Sequence, residues 1–362
     1  MTAGESLRLP EALPGLLLDW YDASARVLPW RSEPTPYRVW VSEIMLQQTR
    51  VEAAKPYFLR FVEALPDIPA LAACPEEALL KLWEGLGYYS RVRNLQKAAR
   101  LVVERYGGEL PASFEALRSL PGIGDYTAGA IASIAFGLAR PAVDGNVLRV
   151  VSRLTASRRD IADPALKPAV GAEIQAILPS RPGDFNQALM ELGACVCLPN
   201  GEPLCGGCPL GGICRARELG IQGSLPVKAP QKPRRQEERT IVIIRREDTG
   251  ELALRRRPAT GLLAGMWEPV SFAGRLDQWQ TLDALFPLGV MARSLATLPP
   301  ARHIFTHIEW RMTGWLALVP DGAVCPEAGV VWVHPEELVR RFSLPSAFRP
   351  FFEAAGVGVG VA

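Results

Sequence analysis

Two short strings carry residue types that could do chemistry. Leu120-Pro121-Gly122-Ile123-Gly124-Asp125-Tyr126-Thr127 is followed by Val143-Asp144-Gly145-Asn146, with Asp144 twenty residues after Gly124. Pro121 ends a preceding helix and fixes φ, while Gly122 and Gly124 admit φ > 0 and leave room for a backbone to approach. The small-residue run from Tyr126 to Ala135 predicts a helix whose first N–H groups lack partners and carry the positive end of the dipole. A phosphate fits such a turn without further contacts. Taken alone, the string fits an ordinary corner between two helices equally well. Asp144 stands before a second predicted helix, Gly145 to Leu154, where a carboxylate caps free amides. So held, it stays ionised and can stabilise positive charge on a group bound beside the phosphate.

A second carboxylate has a different setting. Glu43 is flanked by Val39, Trp40, Ile44, Met45 and Leu46. An apolar pocket raises the pKa of a carboxyl group and lets it act as an acid near neutral pH. The plainer reading of Glu43 is a partly buried residue paired with an arginine such as Arg31.

Five of the seven cysteines crowd into twenty residues. No apolar leader is visible in Met1 to Arg8, so the crowd reads as metal ligands before disulfides. The spacing is Cys197-x7-Cys205-x2-Cys208-x5-Cys214. Four thiolates so spaced can close around a [4Fe–4S] cluster or one zinc ion. Zinc sites usually present two C-x2-C pairs, and only one is present here, so cluster-type spacing fits better. Such a loop would also place Arg215 and Arg217. Cys195, Cys74 and Cys325 read as small buried residues.

These groups need elements to position them. At 362 residues the chain is long enough for two domains or three, and 48% hydrophobic residues supply a large core. A net charge of +2 means that any nucleic-acid surface is local. Lys228 to Arg257 holds ten basic residues against five acidic ones, and reads as a solvated linker ahead of a binding site. No apolar run is long enough to span a bilayer, so the expectation is a cytoplasmic protein with no membrane partner. From about Leu13 to Arg217 apolar residues recur at helical spacing, as in Pro75–Leu86 and Arg91–Tyr106. Thr35-Pro36 reads as a cap and first turn for the helix carrying Tyr37 to Gln47. Gly220 to Glu238 is rich in proline and cations and reads as a linker. Beyond it Arg239–Arg245, Leu252–Leu254 and Gly314–Val319 read as strands. The expected organisation is a helical domain over 1–219, a linker over 220–238 and a smaller α+β domain over 239–362.

With these motifs in hand, the chain resembles the helix-hairpin-helix DNA glycosylases that carry an iron–sulfur cluster, and among them the adenine glycosylases of the MutY type. The resemblance rests on Trp40–Thr49, Gly85–Arg91, Leu120–Thr127, Val143–Val147 and Met190–Ala194. It implies a mostly α catalytic domain with a helix-hairpin-helix and a [4Fe–4S] loop, and a Nudix-like C-terminal domain. It also implies removal of adenine mispaired with 8-oxoguanine or guanine in double-stranded DNA, by a monomeric enzyme. Relatives commonly place six residues between the first two cysteines; this chain has seven, and Cys197 fits the first position better than Cys195.

The resemblance then assigns roles. Glu43 would protonate the adenine, which must be flipped out of the duplex to be reached. Asp144 would stabilise the sugar cation. Gly122 and Gly124 would shape the phosphate-binding turn. Arg31 and Glu191 would line the adenine pocket, with Leu46 and Trp30 as walls. Gln48 and Tyr88 would wedge beside the oxidised guanine. Tyr126 stands where lyase relatives carry a lysine, and a phenol cannot form an imine, so the expected enzyme is monofunctional.

Gly261–Glu268 and His303–His307 resemble the C-terminal domain of the same family. No Arg-Glu-x-x-Glu-Glu string follows Gly261, so this domain should bind and not hydrolyse. Thr306 takes the place of a serine that contacts 8-oxoguanine in relatives and keeps its hydroxyl. Two competing readings remain: a lyase acting on oxidised pyrimidines, and a non-catalytic iron–sulfur DNA-binding protein in which both carboxylates are structural.

Overall fold

The computed structural model describes residues 7–230, 233–320 and 330–358. Cys325 lies outside the described residues, as do residues 1–6 of the N-terminal stretch and residues 231–232 of the basic one. The chain divides into two compact units: Met1–Ala73 with Ser90–Pro230, and Cys74–Tyr89 with Gln231–Ala362.

Along the chain the first helices are α1 (Leu13–Ser24), α2 (Pro29–Ser32), α3 (Pro36–Leu46), α4 (Val51–Ala64), α5 (Ile68–Ala73), α6 (Glu76–Leu82) and α7 (Ser90–Tyr106). They continue with α8 (Phe114–Arg118), α9 (Asp125–Phe136), α10 (Gly145–Leu154), α11 (Leu166–Ile177), α12 (Pro182–Cys195) and α13 (Arg215–Glu218). All but α6 belong to the first unit. The Thr35 hydroxyl caps α3 by accepting from Arg38 N–H, so the chain enters the helix of Glu43 as Thr35-Pro36 predicts. The helix predicted from Pro75 stops at Leu82, because Gly85 and Gly87 both take left-handed φ in the turn that follows.

One core joins α1, α10, α11 and α12 through Leu13, Leu17, Val147, Val151, Ile174 and Phe185. The approach of α12 to α10 has no room for a side chain: a Cβ on Gly193 would lie 2.6 Å from Asn146 Cβ. That close approach explains the glycine in Met190–Ala194 and sets α12 against the first turn of α10. Burial of this apolar surface, at about 25 cal/mol per Å², is what anchors the polar residues facing the other way.

The second unit holds a six-stranded sheet of β1 (Arg235–Arg246), β2 (Leu252–Arg256), β3 (Trp267–Ala273), β4 (Ser294–Ile304), β5 (Ile308–Val319) and β6 (Val330–Val333). The strand order is β4-β5-β1-β3-β2-β6. The central β1–β5 pair is parallel, and the other pairs are antiparallel. Ile241 and Ile243 face one core and Val242 and Ile244 the other, which is the period-two burial of a strand covered on both sides. Helices α14 (Gln278–Leu285), α15 (Pro335–Arg341) and α16 (Arg349–Ala354) complete the unit. The strand predicted from Arg239 starts four residues earlier, at Arg235. The polar Arg235–Glu238 pairs in register with Ile308–Arg311, and backbone hydrogen bonding overrides the absence of β-branched side chains there.

A candidate active site in the helical unit

The turn from Leu120 to Gly124 joins α8 to α9, as a helix-hairpin-helix requires. Gly122 has φ +77°, and a Cβ there would lie 2.8 Å from Asn94 Cβ, so both conformation and space demand glycine. Gly124 departs from expectation. Its φ is −93°, it is the extended residue before α9, and a Cβ would meet nothing within 4 Å. Only one of the two glycines uses the left-handed region.

A cavity of about 1200 Å³ opens on this unit. Its walls include Glu43, Asp144, Tyr126, Arg31, Glu191, Gln48, Leu46 and Trp30. Eight residues predicted from distant parts of the sequence therefore line one space. Glu43 comes from α3, Tyr126 from the first turn of α9, Asp144 from the cap of α10 and Glu191 from α12.

Glu43 is only 7% exposed. The Tyr126 hydroxyl donates to Glu43 Oε2 at 2.5 Å and lies 3.1 Å from Met190 Sδ. Burial pushes the Glu43 carboxyl up to about 7. The Tyr126 hydrogen bond and the Arg31 charge pull it down, and the Asp144 charge adds to the rise. The pairing with Arg31 considered from sequence is not made. Burial likewise holds the Tyr126 phenol well above its ordinary value, so it stays a donor.

Arg31 pairs instead with the second buried carboxylate. Its Nη2 donates to Glu191 Oε2 at 2.9 Å, and Arg26 reaches Glu191 with Nε at 2.6 Å and Nη2 at 2.9 Å. Burial alone would raise the Glu191 pKa. The hydrogen bond from Arg26 and the charge of Arg31 outweigh it and bring the carboxyl to about 2. Arg26 was missed from sequence, since a lone arginine in the loop after α1 has no motif around it. Its partner lies 165 residues away.

Asp144 caps α10 as predicted: Oδ1 accepts Val147 N–H at 2.8 Å, and Oδ2 accepts Asn146 Nδ2 at 2.8 Å. Asn146 Oδ1 accepts Arg149 Nη2 at 2.8 Å, and Arg149 also donates to Gly193 O and to Cys197 O at 2.8 Å. Of these partners Arg149 gave no signal in sequence, where an arginine on a helix reads as surface.

The four cysteines Cys197, Cys205, Cys208 and Cys214 line one small cavity of about 30 Å³ together with Arg153 and Arg217. Arg153 Nη1 lies 3.2 Å from Cys197 Sγ. Among the described residues no three His, Cys, Asp or Glu side chains are grouped as around a single metal ion. Four cysteines on one small cavity are a donor set that fits a cluster. Cys195 faces elsewhere, with its sulfur 3.9 Å from Glu191 Oε1.

In the sheet unit, Tyr88 and Thr306 meet. Tyr88 has φ 47° and is 48% exposed, and its hydroxyl lies 3.0 Å from Thr306 Oγ1. Helix α14 reads Gln-Trp-Gln-Thr-Leu-Asp-Ala-Leu and carries one carboxylate, Asp283.

Residues 41–169 match the family described as HhH-GPD superfamily base excision DNA repair protein, and residues 240–354 match the NUDIX domain. The adenine DNA glycosylase of Homo sapiens is 41% identical over an alignment covering 90% of this chain and 71% of that protein. The adenine DNA glycosylase of Schizosaccharomyces pombe is 33% identical, covering 89% and 85%. Among solved structures, a thermostable thymine-DNA glycosylase superposes with a TM-score of 0.52 at 27% identity, over 58% of this chain and 96% of that one. A trapped endonuclease III–DNA covalent intermediate gives 0.50 at 25% identity, over 59% and 99%.

Proposed function

Because this chain belongs to the adenine DNA glycosylases of the MutY type, and so hydrolyses the N-glycosidic bond of adenine in base excision repair, we propose that its substrate is adenine mispaired with 8-oxoguanine or guanine, and that Glu43 and Asp144 carry the chemistry. The observation that carries the assignment is the pair of carboxylates on one cavity, one of them raised to about 7 by burial. A flipped adenine needs a proton to leave as a neutral base, and Glu43 holds one near neutral pH. The sugar becomes oxocarbenium-like as the bond breaks, and Asp144 supplies the negative neighbour. Water then adds at the sugar carbon and gives its proton to the Glu43 carboxylate that the first step left, leaving an abasic site. The hydroxyl of Tyr126 fixes Glu43 and offers no amine for an imine, which favours base removal without strand cleavage.

Glu191, gripped by Arg26 and Arg31, supplies a fixed acceptor surface in the same cavity for the adenine edge. Cys197, Cys205, Cys208 and Cys214 would hold a [4Fe–4S] cluster, whose contribution when bound is to staple the loop of residues 197–214. Iron and sulfide content tests that set, and stoichiometric zinc overturns it. Thr306 and Tyr88 would read the base opposite the adenine.

The test is single-turnover adenine release from duplexes with adenine opposite 8-oxoguanine and opposite thymine, with wild type and Glu43→Gln. Release from the mispair alone, lost in the variant, is the expected result. Tight binding without release in the wild type overturns the assignment.

A further inference from the structure

The cavity of the helical unit is lined by seven cationic side chains and three carboxylates. Four of the cations are committed. Arg26 and Arg31 hold Glu191, Arg149 is spent on Asn146 and two carbonyls, and Arg153 is spent on Leu198 O, Leu225 O and Cys197 Sγ. The other three are Arg50, Lys167 and Lys228. Each is exposed, and among the described residues none has a side-chain hydrogen bond or ion pair. They come from three separate places: the residue before α4, the first turn of α11, and the segment after α13. Lys167 stands beside the carboxylate site, with its ammonium 5.9 Å from the centroid of the Tyr126 ring.

Arg50, Lys167 and Lys228 hold no carboxylate or carbonyl among the described residues. An exposed cation without an ion pair contributes little to the fold, and this cavity gathers three of them. They make sense when an anion arrives between them. A nucleotide whose base has been turned into a pocket keeps its two flanking phosphates outside it, because the backbone must re-enter the duplex on both sides. We propose that Arg50, Lys167 and Lys228 form a three-point clamp on the phosphodiesters flanking the extruded nucleotide. The clamp adds affinity without sequence information, and it rests on the reading of this cavity as the adenine pocket. It also places a use for the basic stretch that begins at Lys228. Most of the other arginines there are consumed within the sheet unit, Arg255 and Arg257 by Glu268 and Arg246 by Glu251, while Lys228 lines this cavity.

The test uses the full protein and a duplex whose adenosine carries a glycosidic bond that resists hydrolysis. Dissociation constants are measured across a fourfold rise in salt. Each neutralised phosphate contributes a slope of about 0.9 in log K against log salt. Arg50→Gln, Lys167→Gln and Lys228→Gln should therefore each shrink the salt-induced loss of affinity by about 3.5-fold, and the triple variant by about 40-fold. Lys167→Arg should restore the wild-type slope. A triple variant with the wild-type slope overturns the clamp, as does a loss of affinity that is equal at every salt concentration. The same series with adenine opposite thymine should show the same change in slope. If the wild type fails to prefer the mispair, the substrate reading fails while the clamp stands. If the preference holds and the slope does not move, the clamp fails alone.

Discussion

The helical unit and the sheet unit keep the polar groups proposed for function in opposite surroundings. In the helical unit, Glu43 and Glu191 are 7% and 2% exposed, and each is held by named partners. In the sheet unit, Tyr88 is 48% exposed and Thr306 is exposed, and each hydroxyl has the other as its neighbour. Burial is what lets one side chain type do two jobs. With no cation hydrogen-bonded to it, Glu43 is pushed toward protonation by burial; with two guanidiniums bound, Glu191 is driven to about 2. A proton donor has to be desolvated to hold its proton at neutral pH. A group that reads a base has to be free to exchange water for that base. Changes at the cavity carboxylates Glu43 and Asp144 should therefore cost rate, and changes in the exposed pair should cost discrimination.

The hardest test of that contrast is at the two cavity carboxylates. Glu43→Gln should lower single-turnover adenine release by about 10²–10⁴-fold while DNA binding survives. The wild-type rate should fall as pH rises through about 7, because the protonated acid is then lost. Stability moves with the same sign. A raised folded pKa favours the fold below the ordinary value of 4.5, and that contribution is lost as pH rises through about 7. Glu43→Gln removes the penalty, so its melting temperature should gain on wild type between pH 5 and pH 8, by about 2 kcal/mol in free energy. A variant that gains nothing at pH 8 shows that the carboxyl is not desolvated. Asp144→Asn should lower excision by about 10²–10³-fold, the usual cost of losing one fixed charge beside a developing one. Normal turnover in that variant would make Asp144 a helix cap and nothing more.

Next in size is Arg26→Ala. Glu191 would keep only Arg31, and its carboxyl should rise from about 2. Loss of a charge-assisted pair costs about 1.5–3 kcal/mol, so the substrate concentration for half-maximal rate should rise by about tenfold to a hundredfold. A drop confined to the chemical step would instead put Arg26 beside the reacting atoms.

What sequence could show tracks the range of each interaction. Asp144 as cap of Gly145–Leu154 was legible because the cap and its amide lie three residues apart. The four cysteines proposed as cluster ligands stand out because their spacing is local. The role proposed for Glu43 needed the family resemblance, since its hydrogen-bond partner Tyr126 lies 83 residues away. The same distance effect led to Arg31 as a partner for Glu43, when α12 in fact brings Glu191 and Gln187 to that guanidinium. Arg26 and Arg149 were illegible for the same reason. Gly124 was misread in the other direction: a glycine in a turn suggests positive φ, yet the turn needs that freedom only at Gly122.

The smallest effect belongs to the exposed pair, and it separates the two units most cleanly. Thr306 keeps the hydroxyl that a serine would offer and adds a methyl group. Thr306→Ala removes one hydroxyl that lies 3.0 Å from Tyr88 Oη and is accessible to a base. One neutral hydrogen bond contributes about 0.5–1.5 kcal/mol, so the preference for 8-oxoguanine over guanine opposite adenine should shrink by about twofold to tenfold. The single-turnover rate on the better substrate should hardly change, because no buried charge has moved. Thr306→Ser should match or exceed the wild-type preference, since it keeps the donor and frees its rotation. If Thr306→Ala instead lowers the chemical rate on both mispairs equally, the sheet unit acts on the reaction itself and the division between buried chemistry and exposed reading is wrong. If neither rate nor preference moves, Tyr88 alone does the reading, and Tyr88→Phe becomes the variant that must lose it.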